Sequence, residues 1–135
     1  MNGAKRREGT HSTGPPLRVL VVDDDPDALD MLGEFLQRSG YDVRLAAEPN
    51  TGLIEVVDFQ PDAVIIDIGL PMMDGYELAG RIRAFAQCAL IALSGYSAET
   101  APAATAVTSF DAHLLKPVNF DALVQTIEAV ANTRE

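Results

Sequence analysis

Aspartate side chains follow two short apolar segments of this chain, each at the point where the segment ends. Asp23 and Asp24 come directly after residues 18–22, and Asp67 comes directly after residues 63–66. If the segments are parallel strands of one sheet, their carboxyl ends meet at one edge and the three carboxylates lie close together. Two unit charges about 4 Å apart repel by about 4 kcal/mol at an effective dielectric constant near 20, so these acids need a cation or raised pKa values. Mg²⁺ is the simplest such cation, and Mn²⁺ could substitute for it.

Asp67 is also a candidate nucleophile. An ionised carboxylate can attack phosphorus without a general base and form an acyl phosphate, and this transfer mainly requires charge neutralisation on the phosphoryl oxygens. Lys116 could supply a positive charge and Ser94 could donate a hydrogen bond, since each directly follows an apolar segment. Blander interpretations stay open: the acids at 23–25 could simply begin a helix, Lys116 could be a solvated lysine, and Ser94 could be a turn residue. The helix interpretation accounts for Asp25 but not for Asp67.

Strand and helix patterns alternate along the chain from Leu17 onward. Apolar segments predict strands at residues 18–22, 42–46, 63–66, 89–93 and 112–115, and helical spacing predicts helices at 26–39, 50–58, 75–84, 98–107 and from 120 onward. Asp25, Asp74 and Asn119 are the candidate N-caps. Strands that are apolar on both faces, alternating with amphipathic helices, indicate a parallel sheet covered on both sides, and hence an open doubly wound α/β domain.

Composition indicates a single domain that does not span a membrane. The chain has 135 residues, a formal net charge of −10 and one cysteine, Cys88, so no internal disulfide is possible. Residues 1–16 are typical of a flexible tail; three basic residues and one acid give the tail a net charge of +2, which leaves −12 for the rest. Such an acidic surface disfavours nucleic acid and anionic membranes as partners.

No apolar run approaches the roughly 20 residues of a membrane span, and no secretory signal core is found. We therefore expect a cytoplasmic protein with Cys88 buried and reduced.

Four short motifs, in order and on the expected elements, resemble the receiver domain of two-component response regulators. They are Val21-Val22-Asp23-Asp24-Asp25, residues 66–75 (Ile-Asp-Ile-Gly-Leu-Pro-Met-Met-Asp-Gly), Leu93-Ser94-Gly95 and Leu115-Lys116-Pro117. The resemblance covers nearly everything but the tail, and we assign residues 17–132 to the receiver domain. It implies a flavodoxin-like fold, with a five-stranded parallel sheet of order 2-1-3-4-5.

The resemblance also implies roles for individual residues. Asp67 would be the phosphoacceptor, and Ser94 and Lys116 would bind the phosphoryl group. The implied Mg²⁺ ligands are Asp23, Asp24, Asp67 and, through its backbone carbonyl, Gly69. The bond between Lys116 and Pro117 would be cis. The donor would be a phosphohistidine on a histidine kinase or a histidine phosphotransfer protein, and a downstream protein would bind the face formed by the fourth helix, the fifth strand and the last helix.

Two departures from the family pattern concern the switch. The family usually places Tyr or Phe three residues before the lysine, where this chain has His113, as in receivers attached to hybrid histidine kinases. His113 therefore stands at the switch position, and we expect a satisfied, partly buried histidine there rather than a pH sensor. Ser109 stands where many receivers have glycine, and Pro102 with several Ala and Thr makes the helix at 98–107 marginal. We expect the face that includes this helix to be mobile and to be ordered by phosphorylation.

Three other functions stay open. An aspartate-nucleophile phosphatase or phosphotransferase usually has an acid two residues after its nucleophile, a spacing that Asp23 and Asp25 share, but no residues remain for a cap domain. A nucleotide or flavin site needs backbone N–H groups after the first strand, where three aspartates would repel phosphate. A degenerate receiver that only binds proteins is the third. Because the fold uses nearly the whole chain, we expect output through a partner or through relay of the phosphoryl group onward, and no catalysis on outside substrates.

Overall fold

The computed structural model describes residues 15–70, 73–95 and 110–132, which form five strands and four helices. The strands are β1 (Arg18–Val22), β2 (Asp42–Ala46), β3 (Ala63–Asp67), β4 (Ala89–Ser94) and β5 (Ala112–Leu115). The helices are α1 (Pro26–Arg38), α2 (Pro49–Phe59), α3 (Gly75–Arg83) and α4 (Phe120–Asn132). All strand pairs are parallel and the order is β2-β1-β3-β4-β5. The predicted doubly wound α/β fold and its strand order are therefore confirmed.

Each central strand sends alternate side chains into two separate hydrophobic layers. In β1, Leu20 and Val22 pack in the layer that contains Leu78 and Ile82 of α3. Val19 and Val21 point the other way, into the layer formed with α1 and α4. This alternation follows from the two-residue period of a strand. Because helices cover both faces, β1, β3 and β4 are buried almost throughout, whereas the edge strands β2 and β5 keep exposed residues.

Side-chain caps fix where three of the helices begin. Asp25 Oδ1 accepts the Asp27 N–H at 3.0 Å, Asp74 Oδ1 accepts the Glu77 N–H at 2.8 Å, and Asn119 Oδ1 accepts the Ala122 N–H at 2.9 Å. Each bond satisfies a backbone donor that the first helical turn leaves unpaired. The three predicted caps are confirmed. Each of these helices begins shortly after the carboxyl end of a strand.

Some sequence predictions differ from the structure or lie outside the described residues. Cys88 is half-buried rather than buried, because it precedes β4 at the rim of the sheet. His113 is exposed rather than partly buried, because β5 is an edge strand. The tail up to residue 14, part of the 66–75 motif, Ser109 and the predicted helix at 98–107 fall outside the described residues. In the part of the chain that the structure describes, no helix is long and apolar enough to cross a membrane.

Candidate functional site

The three predicted acids meet at the carboxyl edge of the sheet. Asp23 follows β1 and Asp67 ends β3, and these two strands are neighbours in the sheet. Carboxylate oxygens of Asp23, Asp24 and Asp67 all lie within 4.8 Å of one another. Asp23 and Asp67 are buried, with 1% and 9% of their surface exposed, while Asp24 is exposed. The cluster is therefore open to solvent on one side only, and two of its three charges are largely removed from water.

Asp23 has one satisfied and one unsatisfied carboxylate oxygen. Its Oδ1 accepts the backbone N–H of Asp25 at 2.9 Å, whereas its buried Oδ2 has no hydrogen-bond partner among the described residues. Burial raises the pKa of Asp23 above 3.8, and the neighbouring negative charge of Asp67 raises it further. The hydrogen bond from Asp25 and the charge of Lys116 act in the opposite direction on this pKa. A buried oxygen without a donor, beside two more carboxylates, fits a hard divalent cation such as Mg²⁺.

Lys116 brings a positive charge into the cluster from the end of β5. Its ammonium Nζ lies 3.3 Å from Asp67 Oδ1 and 3.8 Å from Asp23 Oδ2. The backbone holds the lysine in place, since the Lys116 N–H donates to the carbonyl of Ser94 at 2.7 Å. The following bond to Pro117 is cis, as the resemblance implied. Among the described residues, one cation thus faces three carboxylates, so the cluster can accept additional positive charge.

Ser94 and Gly69 also lie where the sequence placed them. Ser94 is the last residue of β4 and is buried, one position beyond Leu93, which pairs with Asp67 in the sheet register. The Gly69 N–H donates to Asp67 Oδ1 at 3.1 Å, so the loop after β3 holds the orientation of that carboxylate. Asp67 Oδ1 therefore has two positive or donor groups beside it, the Gly69 N–H and the Lys116 ammonium.

His113 packs on an aromatic cluster that includes Phe110 and Tyr76. Its ring lies 5.5 Å from the Phe110 ring in an edge-to-face arrangement, and Phe110 contacts Tyr76 in the same manner at 5.7 Å. Burial of part of the ring lowers the pKa of His113 below 6.5. The other side of the residue is exposed to solvent. The neutral imidazole is therefore the favoured form at neutral pH, although the residue is more exposed than the sequence predicted.

Two backbone groups support the site although sequence reasoning did not single them out. The Asp25 N–H holds Asp23 Oδ1, and the Gly75 N–H donates to the Ile68 carbonyl at 3.0 Å. Both donors belong to residues next to or within a predicted helix cap. Every residue except proline has a backbone N–H, so residue type does not reveal such a donor. Its place beside a predicted helix cap is the only signal in the sequence.

Comparison with known proteins decides the family. A family model described as the response regulator receiver domain matches residues 19–128. The chain belongs to this family. The receiver domain is 30% identical over 113 residues to an uncharacterized transcriptional regulatory protein, YvcP, of Bacillus subtilis, covering 84% of this chain and 48% of YvcP. It is 33% identical over 118 residues to the transcriptional regulatory protein PrrA of Mycobacterium tuberculosis, covering 87% of this chain and 51% of PrrA. The receiver domain thus spans about half the length of these two relatives.

Solved structures agree with this assignment. A CheY-like response regulator receiver domain protein from Methanospirillum hungatei superimposes with a TM-score of 0.81 at 29% identity, covering 88% of this chain and 96% of that one. The Saccharomyces cerevisiae Ssk1 receiver domain, crystallised with the histidine phosphotransfer protein Ypd1, gives a TM-score of 0.79, covering 89% of this chain and 92% of its own. At 23% identity that second likeness shows the fold alone. The resemblance inferred from the motifs is confirmed at the level of the family. The closer likeness to hybrid-kinase receivers stays a prediction.

Proposed function

We propose that this receiver domain accepts a phosphoryl group on Asp67 from a phosphohistidine of a histidine kinase or a histidine phosphotransfer protein. The observation that carries the proposal is the position of Asp67, which is buried, clustered with Asp23 and Asp24, and 3.3 Å from the ammonium of Lys116. A structural aspartate would not need two more acids beside it. Family membership supports the same assignment.

The proposed transfer needs no general base. A carboxylate oxygen of Asp67 forms a bond to phosphorus while the bond between phosphorus and the donor imidazole nitrogen breaks. The electron pair of the broken bond stays on the imidazole, and Asp67 becomes an acyl phosphate. Lys116 then neutralises part of the phosphoryl charge, and the Ser94 hydroxyl donates a hydrogen bond to a phosphoryl oxygen. Hydrolysis of the acyl phosphate transfers the phosphoryl group to water, which releases inorganic phosphate and returns the free carboxylate. We propose no further reaction on outside substrates.

We assign the metal ligands to the carboxylates of Asp23, Asp24 and Asp67 and to the backbone carbonyl of Gly69. The unpartnered Oδ2 of Asp23 and the raised pKa of its carboxyl support a cation there. Bound Mg²⁺, or Mn²⁺ in its place, would supply positive charge to the phosphoryl oxygens during transfer. The assigned ligands are all oxygen atoms, with no histidine or thiol among them, and such a set would suit a hard cation.

We propose that phosphorylation is read on the face formed by the predicted helix at 98–107, β5 and α4. The backbone hydrogen bond from the Lys116 N–H to the Ser94 carbonyl supports this. Ser94 ends β4 and Lys116 follows β5, so this bond connects the two residues that would bind the phosphoryl group. His113 lies on β5, at the switch position. A downstream protein would bind this face, with no role for nucleic acid or membrane. Residues 17–132 would make up the receiver in a cytoplasmic protein, with residues 1–16 as its tail.

Intact mass after incubation with acetyl phosphate tests the proposal. Wild type should gain one phosphoryl group only when Mg²⁺ is present, and Asp67→Ala should gain none. Asp62→Ala, which removes an aspartate at the opposite edge of the sheet, is the matched control and should gain the group like wild type. Rapid and repeated turnover of the donor would instead indicate a phosphatase, and the absence of both adduct and turnover would indicate a protein-binding scaffold.

A further inference from the structure

Gly75, the first residue of α3, lies against the backbone that follows Asp67. A methyl group built on its Cα would lie 2.8 Å from the Cα of Ile68, 3.0 Å from the carbonyl oxygen of Asp67 and 3.0 Å from Cδ1 of Ile68. Two of these three atoms are backbone, so a rotamer change cannot move them out of the way. Any side chain at position 75 would therefore displace either the start of α3 or the loop after β3.

The displaced group would be one particular peptide unit. The carbonyl of Ile68 accepts the Gly75 N–H at 3.0 Å, while the N–H of Gly69 donates to Asp67 Oδ1 at 3.1 Å. That carbonyl and that N–H belong to the same planar peptide group, so they turn together. The close approach of Gly75 thus sets the orientation of the N–H that holds the Asp67 carboxylate.

The other contacts of this loop and helix leave little freedom to absorb a methyl group. The Ile68 N–H donates to the Leu93 carbonyl at 2.9 Å, which ties the loop to β4. On the other side, Asp74 caps α3, and Leu78 and Ile82 of that helix are fully buried in the core. A shift of the loop after β3 would break its bond to β4, and a shift of α3 would break its cap or its core packing. The peptide between Ile68 and Gly69 lies between this loop and this helix.

We propose that Gly75 is a positioning residue for the phosphoryl-transfer site: by lacking a side chain it lets α3 hold the Ile68–Gly69 peptide, and through it the Asp67 carboxylate. The inference rests on the proposed function, because that carboxylate is assigned there as a ligand of Mg²⁺. Residues that orient metal ligands typically change metal affinity 10–100-fold when they are altered.

The test compares Gly75→Ala with Gly80→Ala, a matched substitution in the same helix. Gly80 is exposed, and a methyl group there meets nothing within 4 Å. Because the chain has no tryptophan, Mg²⁺ binding is measured by isothermal titration calorimetry without any phosphoryl donor. Gly75→Ala should weaken Mg²⁺ binding about tenfold or more, and Gly80→Ala should leave it within about twofold of wild type. Phosphorylation by acetyl phosphate should then show a raised apparent KM for Mg²⁺ in Gly75→Ala.

The outcomes separate this inference from the function on which it rests. If wild type binds Mg²⁺ and is phosphorylated, but folded Gly75→Ala binds Mg²⁺ as Gly80→Ala does, the positioning role of Gly75 is wrong and the proposed function stands. If wild type neither binds Mg²⁺ nor gains a phosphoryl group, both are wrong. Should Gly75→Ala not fold, amide hydrogen exchange on wild type decides. Protection of the Gly75 N–H should rise when Mg²⁺ is added, and unchanged protection would overturn the inference.

Discussion

At the amino edge of the sheet, aspartates accept backbone N–H groups of the strands, whereas at the carboxyl edge they face one another. Asp62 Oδ2 accepts the Arg18 N–H at 2.8 Å, and Asp111 Oδ2 accepts the Leu90 N–H at 2.8 Å. Asp23, at the other edge, has a buried Oδ2 that accepts no hydrogen bond from the described residues. Asp62 and Asp111 thus each have a strand N–H as donor, whereas one buried oxygen of Asp23 has no donor among the described residues.

The polarity of a parallel sheet explains the difference. N–H groups near the starts of β1 and β4 donate to the carboxylates at the amino edge. At the carboxyl edge, the strand-end carbonyls of Ala46, Leu93 and Ser94 accept N–H groups and offer a carboxylate no donor. The donors that Asp23 and Asp67 do have come from loops, namely the N–H groups of Asp25 and Gly69. The carboxylates of Asp62 and Asp111 can therefore stabilise the fold unaided, while the cluster of Asp23, Asp24 and Asp67 would be stabilised by a cation. This difference places ligand chemistry at the carboxyl edge.

The largest expected difference between substitutions at the two edges of the sheet is in the rate of phosphorylation. Asp23→Asn removes one negative charge from the cluster and should slow Mg²⁺-dependent phosphorylation by acetyl phosphate about 100-fold. The reason is that a bound metal ion stabilises the charge of the transition state by several kcal/mol, and a weakened metal site loses part of that stabilisation. Asp62→Asn, at the opposite edge, should leave the rate within about twofold of wild type. The rate is measured by intact mass against time. Equal rates for the two variants would remove Asp23 from the metal site.

The sequence predicted the carboxyl edge better than the amino edge. Asp23, Asp67 and Lys116 could be placed together because each directly follows an apolar segment, and parallel strands bring those ends to one edge. Asp62 and Asp111 have an equally simple signal, since each directly precedes a strand. The position of Asp111 alone does not predict its partner, because that partner lies 21 residues away, on a neighbouring strand, and depends on the register.

Exact contacts were less predictable than element types. The central strands were found because they are apolar on both faces, and the helix starts because Asp25, Asp74 and Asn119 have side chains that cap. The contact of Gly75 with the Ile68 backbone could not be predicted, because it depends on how closely α3 approaches the loop after β3. His113 was predicted to be partly buried, but an edge strand leaves it exposed. Distances between elements are set by packing, which local patterns do not encode.

A smaller effect is expected on stability at the amino edge. Asp111→Ala removes the acceptor of the Leu90 N–H and the partner of Arg83, whose Nη2 lies 3.0 Å from the same Asp111 oxygen. Leu90 is fully buried, so its N–H would be left without that acceptor, and the free energy of unfolding should fall by about 2 kcal/mol. Urea denaturation measures the change. Asp111→Asn keeps an oxygen for Leu90 and should cost only about 1 kcal/mol, the scale of a surface ion pair. Equal losses for both variants would show that the charge matters and the hydrogen bond does not.

The smallest expected effect has the opposite sign and lies at the carboxyl edge. Because burial raises the pKa of Asp23, its ionised form destabilises the folded state at neutral pH when no cation is bound. Asp23→Asn keeps an oxygen for the Asp25 N–H and offers an N–H to Asp67, so without divalent cations it should raise the free energy of unfolding by about 1 kcal/mol.

The pH dependence of this gain follows from the direction of the shift. The gain should be complete above the folded-state pKa of Asp23 and should shrink as pH falls through that pKa toward 3.8, where the wild-type carboxyl becomes protonated in both the folded and the unfolded state. Urea denaturation in EDTA at neutral pH and at about pH 4 measures it. Adding Mg²⁺ should stabilise wild type more than Asp23→Asn, because a ligand stabilises the state that binds it. If Asp23→Asn is less stable than wild type in EDTA at neutral pH, the carboxyl edge is satisfied without a cation and the contrast between the edges does not hold.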